Sequence, residues 1–178
     1  MSPQGTGEDT ELTSPPMVPP EPSSYLAVIL ADALESNGLE VSPVDGFPGV
    51  LTGEVGGAIG RWSFFAQPDD ASQGILVYSV FPAPAPPERR QAVAELAARA
   101  NYLLRYGNLE MDFADGEVRA RTSARGGTDP LEFNMVTELV KANLEIAQLL
   151  FPLVKMVAAE GADPATAITI LLQQLSEG

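Results

Sequence analysis

Four carboxylates close together are the residues of this chain most capable of chemistry. They lie within one stretch of eight residues: Glu110, Asp112, Asp115 and Glu117. A cluster of this kind can ligate Mg²⁺ or Ca²⁺, and two of its members can act as general acid and general base. The spacing does not match an EF-hand loop, which alternates its ligands and has a glutamate at the twelfth position. Whether these carboxylates are free for chemistry depends on the secondary structure around them.

The cluster lies in a segment that predicts a β-hairpin. Residues 109–122 alternate between apolar and charged side chains, which is typical of strands with one buried face. Asp115-Gly116 predicts a two-residue type I′ turn, in which both positions need positive φ. With that turn, the register places each mid-strand carboxylate opposite an arginine. The predicted structural ion pairs are Glu110 with Arg121 and Asp112 with Arg119. The sequence therefore favours ion pairs over a metal site or a catalytic pair.

The composition removes most enzymatic mechanisms. The chain of 178 residues contains no histidine and no cysteine. It therefore lacks the commonest general base, the commonest metal ligand, thiolate nucleophiles and disulfides. We expect a protein that is not an enzyme and that uses no cofactor or metal.

The net charge of −14 argues against direct binding of nucleic acid, because such binding rests on Lys and Arg that neutralise phosphates. Only a local basic patch would outweigh this charge. Its candidate members are Arg89, Arg90, Arg99 and Arg105. No apolar run approaches the roughly 18 residues of a membrane-spanning helix, and the first 22 residues do not resemble a secretory signal. We therefore expect a cytoplasmic protein without a membrane partner.

The chain divides into a tail and one domain. Residues 1–22 hold six of the sixteen prolines and four acidic side chains, with no Lys or Arg. Such a segment cannot bury a core, so it predicts a disordered, proline-rich acidic tail. A proline-rich recognition segment is the alternative interpretation. Residues 23–178 have the length of a single domain.

Within the domain, caps, breakers and hydrophobic spacing predict an α+β fold. The predicted order is a helix from about residue 24 to Asn37-Gly38, a three-stranded antiparallel meander over residues 50–55, 58–66 and 74–81, a helix over 87–106, the β-hairpin, a long helix over 132–159, and a short C-terminal helix starting at Asp163-Pro164.

The long helix is apolar around much of its circumference, more than one sheet can cover. Contact with another protein, as a homodimer or with a client, is one explanation. Burial of the whole arc by the chain's other helices is the alternative. The candidate residues for a partner or dimer interface are Val93, Leu96, Ala100 and Leu103 on the second helix and Leu139, Ile146, Leu149 and Leu153 on the long helix.

Several local motifs together resemble the YbjN family, whose members resemble type III secretion chaperones in fold. These motifs are Asn101-Tyr102, residues 107–113, the Asp115-Gly116-Glu117-Val118-Arg119 turn, and Leu150-Phe151-Pro152 inside the long helix. The resemblance covers about residues 24–158. It implies the same order of helices and strands, a dimer, and a protein-binding role with no catalytic residues.

We therefore expect a non-enzymatic dimer, chaperone-like or regulatory, that holds a segment of an unidentified partner protein on apolar surface strips. The alternative hypothesis, of a different class, is a small-ligand or metal-responsive regulator that uses the acidic hairpin.

Overall fold

The computed structural model of the chain describes residues 24–177, so the tail predicted over residues 1–22 lies outside the described residues. Within the described part, four α-helices accompany six strands. In chain order the elements are α1 (Tyr25–Ser36), β1 (Ser42–Pro43), β2 (Leu51–Gly57), β3 (Gly60–Asp69), β4 (Gly74–Val80), α2 (Arg90–Leu103), β5 (Asn108–Met111), β6 (Val118–Arg125), α3 (Phe133–Ala158) and α4 (Pro164–Glu177).

The strands form a single antiparallel sheet in the order β1-β2-β3-β4-β6-β5. The α+β class and the predicted order of helices and strands are confirmed. The meander and the hairpin join because β6 pairs along the whole of β4. Strand β1 was not predicted. It contains only two residues, one of them a proline, and is therefore too short to produce an alternating pattern.

The ends of the helices follow from local chemistry. Helix α1 begins after Ser24, whose hydroxyl accepts a hydrogen bond from the Ala27 amide at 3.1 Å, as an N-cap does. Helix α2 is shorter than predicted. Its first turn, Pro87–Arg89, is a 3-10 helix, and Leu104 is already extended, with ψ of 137°.

The helices pack over one face of the sheet. Helix α3 contacts β4 and β6, α1 contacts β3 and α3, α2 contacts β5 and α3, and α4 lies outside them against α2 and α3. On β3, Trp62, Phe64 and Ala66 are buried on this face, while the residues between them point away from it. The predicted alternation of the strands therefore corresponds to a face covered by helices and a face without them.

Polar side chains in the core join α3 to the middle of the sheet. The indole Nε1 of Trp62 donates to Ser79 Oγ at 3.1 Å, and that hydroxyl donates to Asn143 Oδ1 at 2.7 Å. The Asn143 amide donates in turn to the Val77 carbonyl at 2.9 Å. Ser79 and Asn143 are fully buried. A buried polar group lowers the stability of the fold unless it is paired. This chain of hydrogen bonds therefore fixes the position of α3 along the sheet.

The apolar arc of α3 is covered largely by the chain itself. Eleven of its residues are buried, and they lie against the sheet and against α1, α2 and α4. The width of the arc therefore does not require a second chain. Three packed helices remove from water the surface that the sheet alone leaves open.

Replacing Asn143 with Ala should lower the free energy of unfolding by about 2–4 kcal/mol, because it leaves the Val77 carbonyl and Ser79 without their partner and opens a small cavity. Urea unfolding followed by Trp62 fluorescence measures the change. Asn134→Ala is the matched control, since Asn134 is exposed on the same helix, and it should change stability by less than about 0.5 kcal/mol. Equal midpoints for the two variants would contradict a stabilising role for the network.

Candidate protein-binding surfaces

The hairpin register differs by two residues from the prediction. Met111 pairs with Val118, and Glu110 with Arg119. The loop covers residues 113–116 and is two residues longer than a type I′ turn. A type I′ turn needs positive φ at Asp115 as well, but among residues 24–177 positive φ outside glycine occurs only at Gln73.

The longer loop is closed by its own acidic residues. Asp112 Oδ1 accepts from the Ala114 amide at 2.7 Å, and Asp115 Oδ1 accepts from the Glu117 amide at 2.8 Å. Both carboxylates form Asx turns of the kind that stabilise loops. The predicted pair between Asp112 and Arg119 does not form, because the register moves Arg119 away from Asp112 and the Asp112 carboxylate is engaged in the loop.

Glu110 is the centre of the ion pairs in the hairpin. One carboxylate oxygen accepts from Arg121 at 3.1 Å, and the other accepts from Arg119 at 3.0 Å. Arg119 also lies 4.4 Å from the centroid of the Tyr78 ring, a cation–π distance. Partial burial acts to raise the pKa of Glu110, but the hydrogen bonds from Asn108 and the two arginines outweigh it and hold the pKa below the ordinary glutamate value.

The acidic hairpin is therefore arranged as a structural element. In the part of the chain from residue 24 to 177, no group of three or more acidic side chains is placed to hold a metal ion. Glu110, Asp112 and Asp115 each bond to arginine or backbone groups within the hairpin. This geometry lends no support to a metal-responsive role for the hairpin.

Most of the predicted interface residues belong to the core of the single chain. Five of the eight are buried, and three are half-buried. The buried residues are Val93, Leu96, Ala100, Ile146 and Leu153, and the half-buried ones are Leu103, Leu139 and Leu149. The buried residues offer no free surface, because α2, α3 and α4 cover one another. Helical periodicity identified an apolar face correctly but could not tell which neighbour covers it.

A free apolar surface lies instead where α2 ends beside α4. Its exposed members are Tyr102 at 91 %, Tyr106 at 73 %, Leu172 at 48 % and Leu175 at 47 %. Leu103 and Leu149, two of the predicted residues, line the grooves between them. One groove of about 520 Å³ runs beside Tyr102, and another of about 430 Å³ runs beside Tyr106. We call Tyr102, Leu103, Tyr106, Leu149, Leu172 and Leu175 the α2–α4 patch.

The charges around this patch are nearly balanced. Arg99 pairs with Glu95 at 2.7 Å, and Lys141 lies 4.0 Å from Glu145. Arg105 adds one exposed positive charge. On a chain with a net charge of −14, such a nearly neutral region repels another acidic protein less than an acidic region would.

Two arginines of the predicted basic patch have structural partners. Arg89 donates to the Val157 and Ala162 carbonyls at 2.9 and 2.7 Å, and so binds the end of α3. Arg90 donates to the Phe113 carbonyl at 2.7 Å, which ties the hairpin loop to α2. These side chains hold elements together, which leaves Arg99 and Arg105 on the exposed side of α2.

The sheet face without helices is polar by comparison. Four of the eight arginines extend from it: Arg61, Arg119, Arg121 and Arg125. Arg61, Arg119 and Arg121 pair with glutamates on neighbouring strands. Phe65, at 36 % exposure, and the half-buried Tyr78 are its aromatic members. The α2–α4 patch, by contrast, is defined by aromatic and aliphatic side chains alone.

Comparison with known proteins identifies a family. A model of the YbjN family, described as "Putative bacterial sensory transduction regulator", matches residues 27–149. Among solved structures, the chain is similar to "YbjN, a putative transcription regulator from E. coli", with 16 % identity and a TM-score of 0.49 over 75 % of this chain and 89 % of that chain. No curated protein matches the chain. None of the helices formed by residues 24–177 is long and apolar enough to cross a membrane.

Replacing Glu110 with Gln should destabilise the fold near neutral pH and have less effect in acid. A carboxylate whose pKa is lowered by folding stabilises the folded chain above its unfolded pKa of about 4.3, and this contribution is lost as the pH falls through the folded value. We expect wild type to exceed Glu110→Gln by about 1 kcal/mol at neutral pH, with the difference shrinking below about pH 4. Urea unfolding of both proteins at a series of pH values measures this difference in the free energy of unfolding.

The control for this measurement is Glu138→Gln, at an exposed position on α3. It should follow the wild-type pH dependence throughout. A stability difference between wild type and Glu110→Gln that stays constant from neutral to acid pH would contradict this explanation. It would show that the negative charge of Glu110 does not stabilise the fold through the two arginines.

Proposed function

The chain belongs to the YbjN family, and from this premise we propose that it is a regulatory protein-binding module without enzymatic activity, which acts through the α2–α4 patch. The family description supports a regulatory role. The observation that carries the choice of surface is the exposure of two tyrosines, at the end of α2 and just after it, beside two leucines on α4.

The chemistry of the patch favours a protein as its partner. Tyrosine is enriched at the energetic centres of protein interfaces, because it combines a large apolar surface with a polar hydroxyl. The patch also consists of shallow grooves between α2, α3 and α4, which suit the side chains of a helix or an extended segment better than an enclosed small molecule. Contiguous exposed apolar surface of this kind marks interaction sites in soluble proteins.

We further propose that a second copy of the chain binds at this patch, so that the module is a homodimer. Self-association of a chain with a charge of −14 needs a surface where like charges are not brought together. The paired charges of Arg99 with Glu95 and of Lys141 with Glu145 meet that need. The segment of a regulated partner would then contact the apolar surface that remains beside the dimer seam.

Replacing Leu172 and Leu175 together with Ser should weaken the dimer at least a hundredfold, since a homodimer loses four leucine side chains and completing the burial of each half-exposed leucine contributes about 1 kcal/mol. Sedimentation equilibrium of the full chain at micromolar concentrations measures the dissociation constant. Both leucines are half-exposed, so thermal unfolding of the variant should stay close to that of the wild type.

The matched control is the double variant Phe47→Ser with Ile59→Ser, which removes two exposed apolar side chains outside the patch. It should dimerise as the wild type does. A wild type that sediments as a monomer would refute the dimer.

Regulation through a different protein would then be tested by a photo-crosslinking residue at Tyr102 in the organism of origin, with one at Phe47 as control. Failure of Tyr102 to crosslink more than Phe47 would refute the patch as a binding surface.

A further inference from the structure

A separate apolar cavity lies at the other side of the helical layer, where the end of α3 faces the proline-rich segment before α2. Its volume of about 640 Å³ exceeds that of either groove in the α2–α4 patch. The residues that define it are Phe81, Pro84, Phe151, Val154, Lys155 and Ala158. No residue of the α2–α4 patch lines this cavity.

The floor of the cavity is aromatic and rigid. The rings of Phe81 and Phe151 lie 5.2 Å apart in a tilted arrangement, and Trp62 lies 5.9 Å from Phe151. All three residues are largely buried. Gly60 allows this packing, because a Cβ at its position would collide with the Phe151 ring, and its φ of +141° suits glycine.

The walls of the cavity offer few hydrogen-bonding groups to a ligand. One wall contains Pro82, Pro84 and Pro86, which have no backbone N–H to donate. At the other wall, the end of α3 would normally expose free carbonyls. Arg89 already donates to the Val157 and Ala162 carbonyls. Ala158 contributes only a methyl group to this wall.

The rim of the cavity has no excess of either charge. Lys155 lies 3.9 Å from Glu160, and Arg89 is accompanied by Glu88. An ionic ligand would therefore have no unpaired opposite charge to bind, and nothing would offset the free-energy cost of its desolvation. An uncharged apolar ligand has no such cost.

We propose that this cavity binds an uncharged apolar small molecule with at least one aromatic ring. Its volume lies in the range of small-molecule sites, about 300–1,000 Å³, and its apolar lining is typical of them. The rings of Phe81 and Phe151 supply a surface against which an aromatic ring packs in tilted or offset contact. The site is independent of the α2–α4 patch, since it shares no residues with it.

The chain provides its own reporter for this site. Trp62 is the single tryptophan and packs on Phe151. The probe is N-phenyl-1-naphthylamine, an uncharged aromatic molecule that becomes fluorescent in apolar surroundings and accepts energy from tryptophan. Titrated into the full chain, it should bind saturably with a stoichiometry of one and quench Trp62. Its sulfonated counterpart, 8-anilinonaphthalene-1-sulfonate, should bind roughly tenfold more weakly or worse, because the sulfonate must be desolvated.

Two variants obstruct the cavity in different ways. Ala158→Leu fills it from α3, and Ala83→Phe obstructs its mouth from an exposed position that is not part of the core. Each should weaken binding of the uncharged probe roughly tenfold or more, as expected when a large side chain occupies the ligand's space. If Ala158→Leu does not fold, Ala83→Phe still tests the site. The control, Leu172→Ser in the α2–α4 patch, should bind the probe as the wild type does.

Four results would overturn the proposal. The first is an absence of saturable binding to the wild type. The second is wild-type affinity in the folded Ala83→Phe variant. The third is equal affinity for the sulfonated probe, which would show that the site does not select uncharged ligands. Loss of probe binding in Leu172→Ser alone would place the probe on the α2–α4 patch and would also refute the cavity as its site.

Discussion

The seating of α3 on the sheet is the constraint on which the rest of the described structure depends. An apolar helix on an apolar sheet can slide by a turn without losing much buried area, because hydrophobic contact is not directional. The bonds of Asn143 to Ser79 and to the Val77 carbonyl are directional, and a displaced α3 would leave these buried polar groups unpaired. Two strands and a helix are therefore held in one relative position by side chains from β3, β4 and α3.

The position of α3 determines where the other helices pack. With one side of α3 against β4 and β6, its remaining apolar surface faces outward and is taken up by α1, α2 and α4. Helix α4 is then the outermost layer. Its inner side buries Ala167 and Leu171, and Leu172 and Leu175, at the margins of that side, are half-exposed. The surface proposed for partner binding thus lies mainly on α4 and at the end of α2, whereas periodicity alone places its candidate residues on α2 and α3.

The sequence predicted the fold better than the contacts of its charged residues. Strand alternation and helix caps are local signals, and the order of elements follows from them. The predicted hairpin register depended on one turn, and because Asp115 does not have the positive φ of that turn, the observed register differs by two residues. Glu110 still meets Arg121, but diagonally, while Arg119 takes the place directly opposite. Arg89 and Arg90 bind carbonyls of residues that are distant from them in the sequence. A local sequence pattern cannot predict such contacts.

The two proposed binding regions differ from the core in one physical respect. The network of Trp62, Ser79 and Asn143 is closed, since each polar group has its partner inside the chain. The α2–α4 patch and the cavity beside Phe151 are open, since each leaves apolar area that residues 24–177 do not cover. Both are built partly from residues beyond position 149, where the match to the family ends. A core shared with the family can therefore carry binding surfaces that are set by the last turns of α3 and by α4, and a substitution such as Leu175 or Ala158 to another residue can change what is bound without disturbing how α3 is seated.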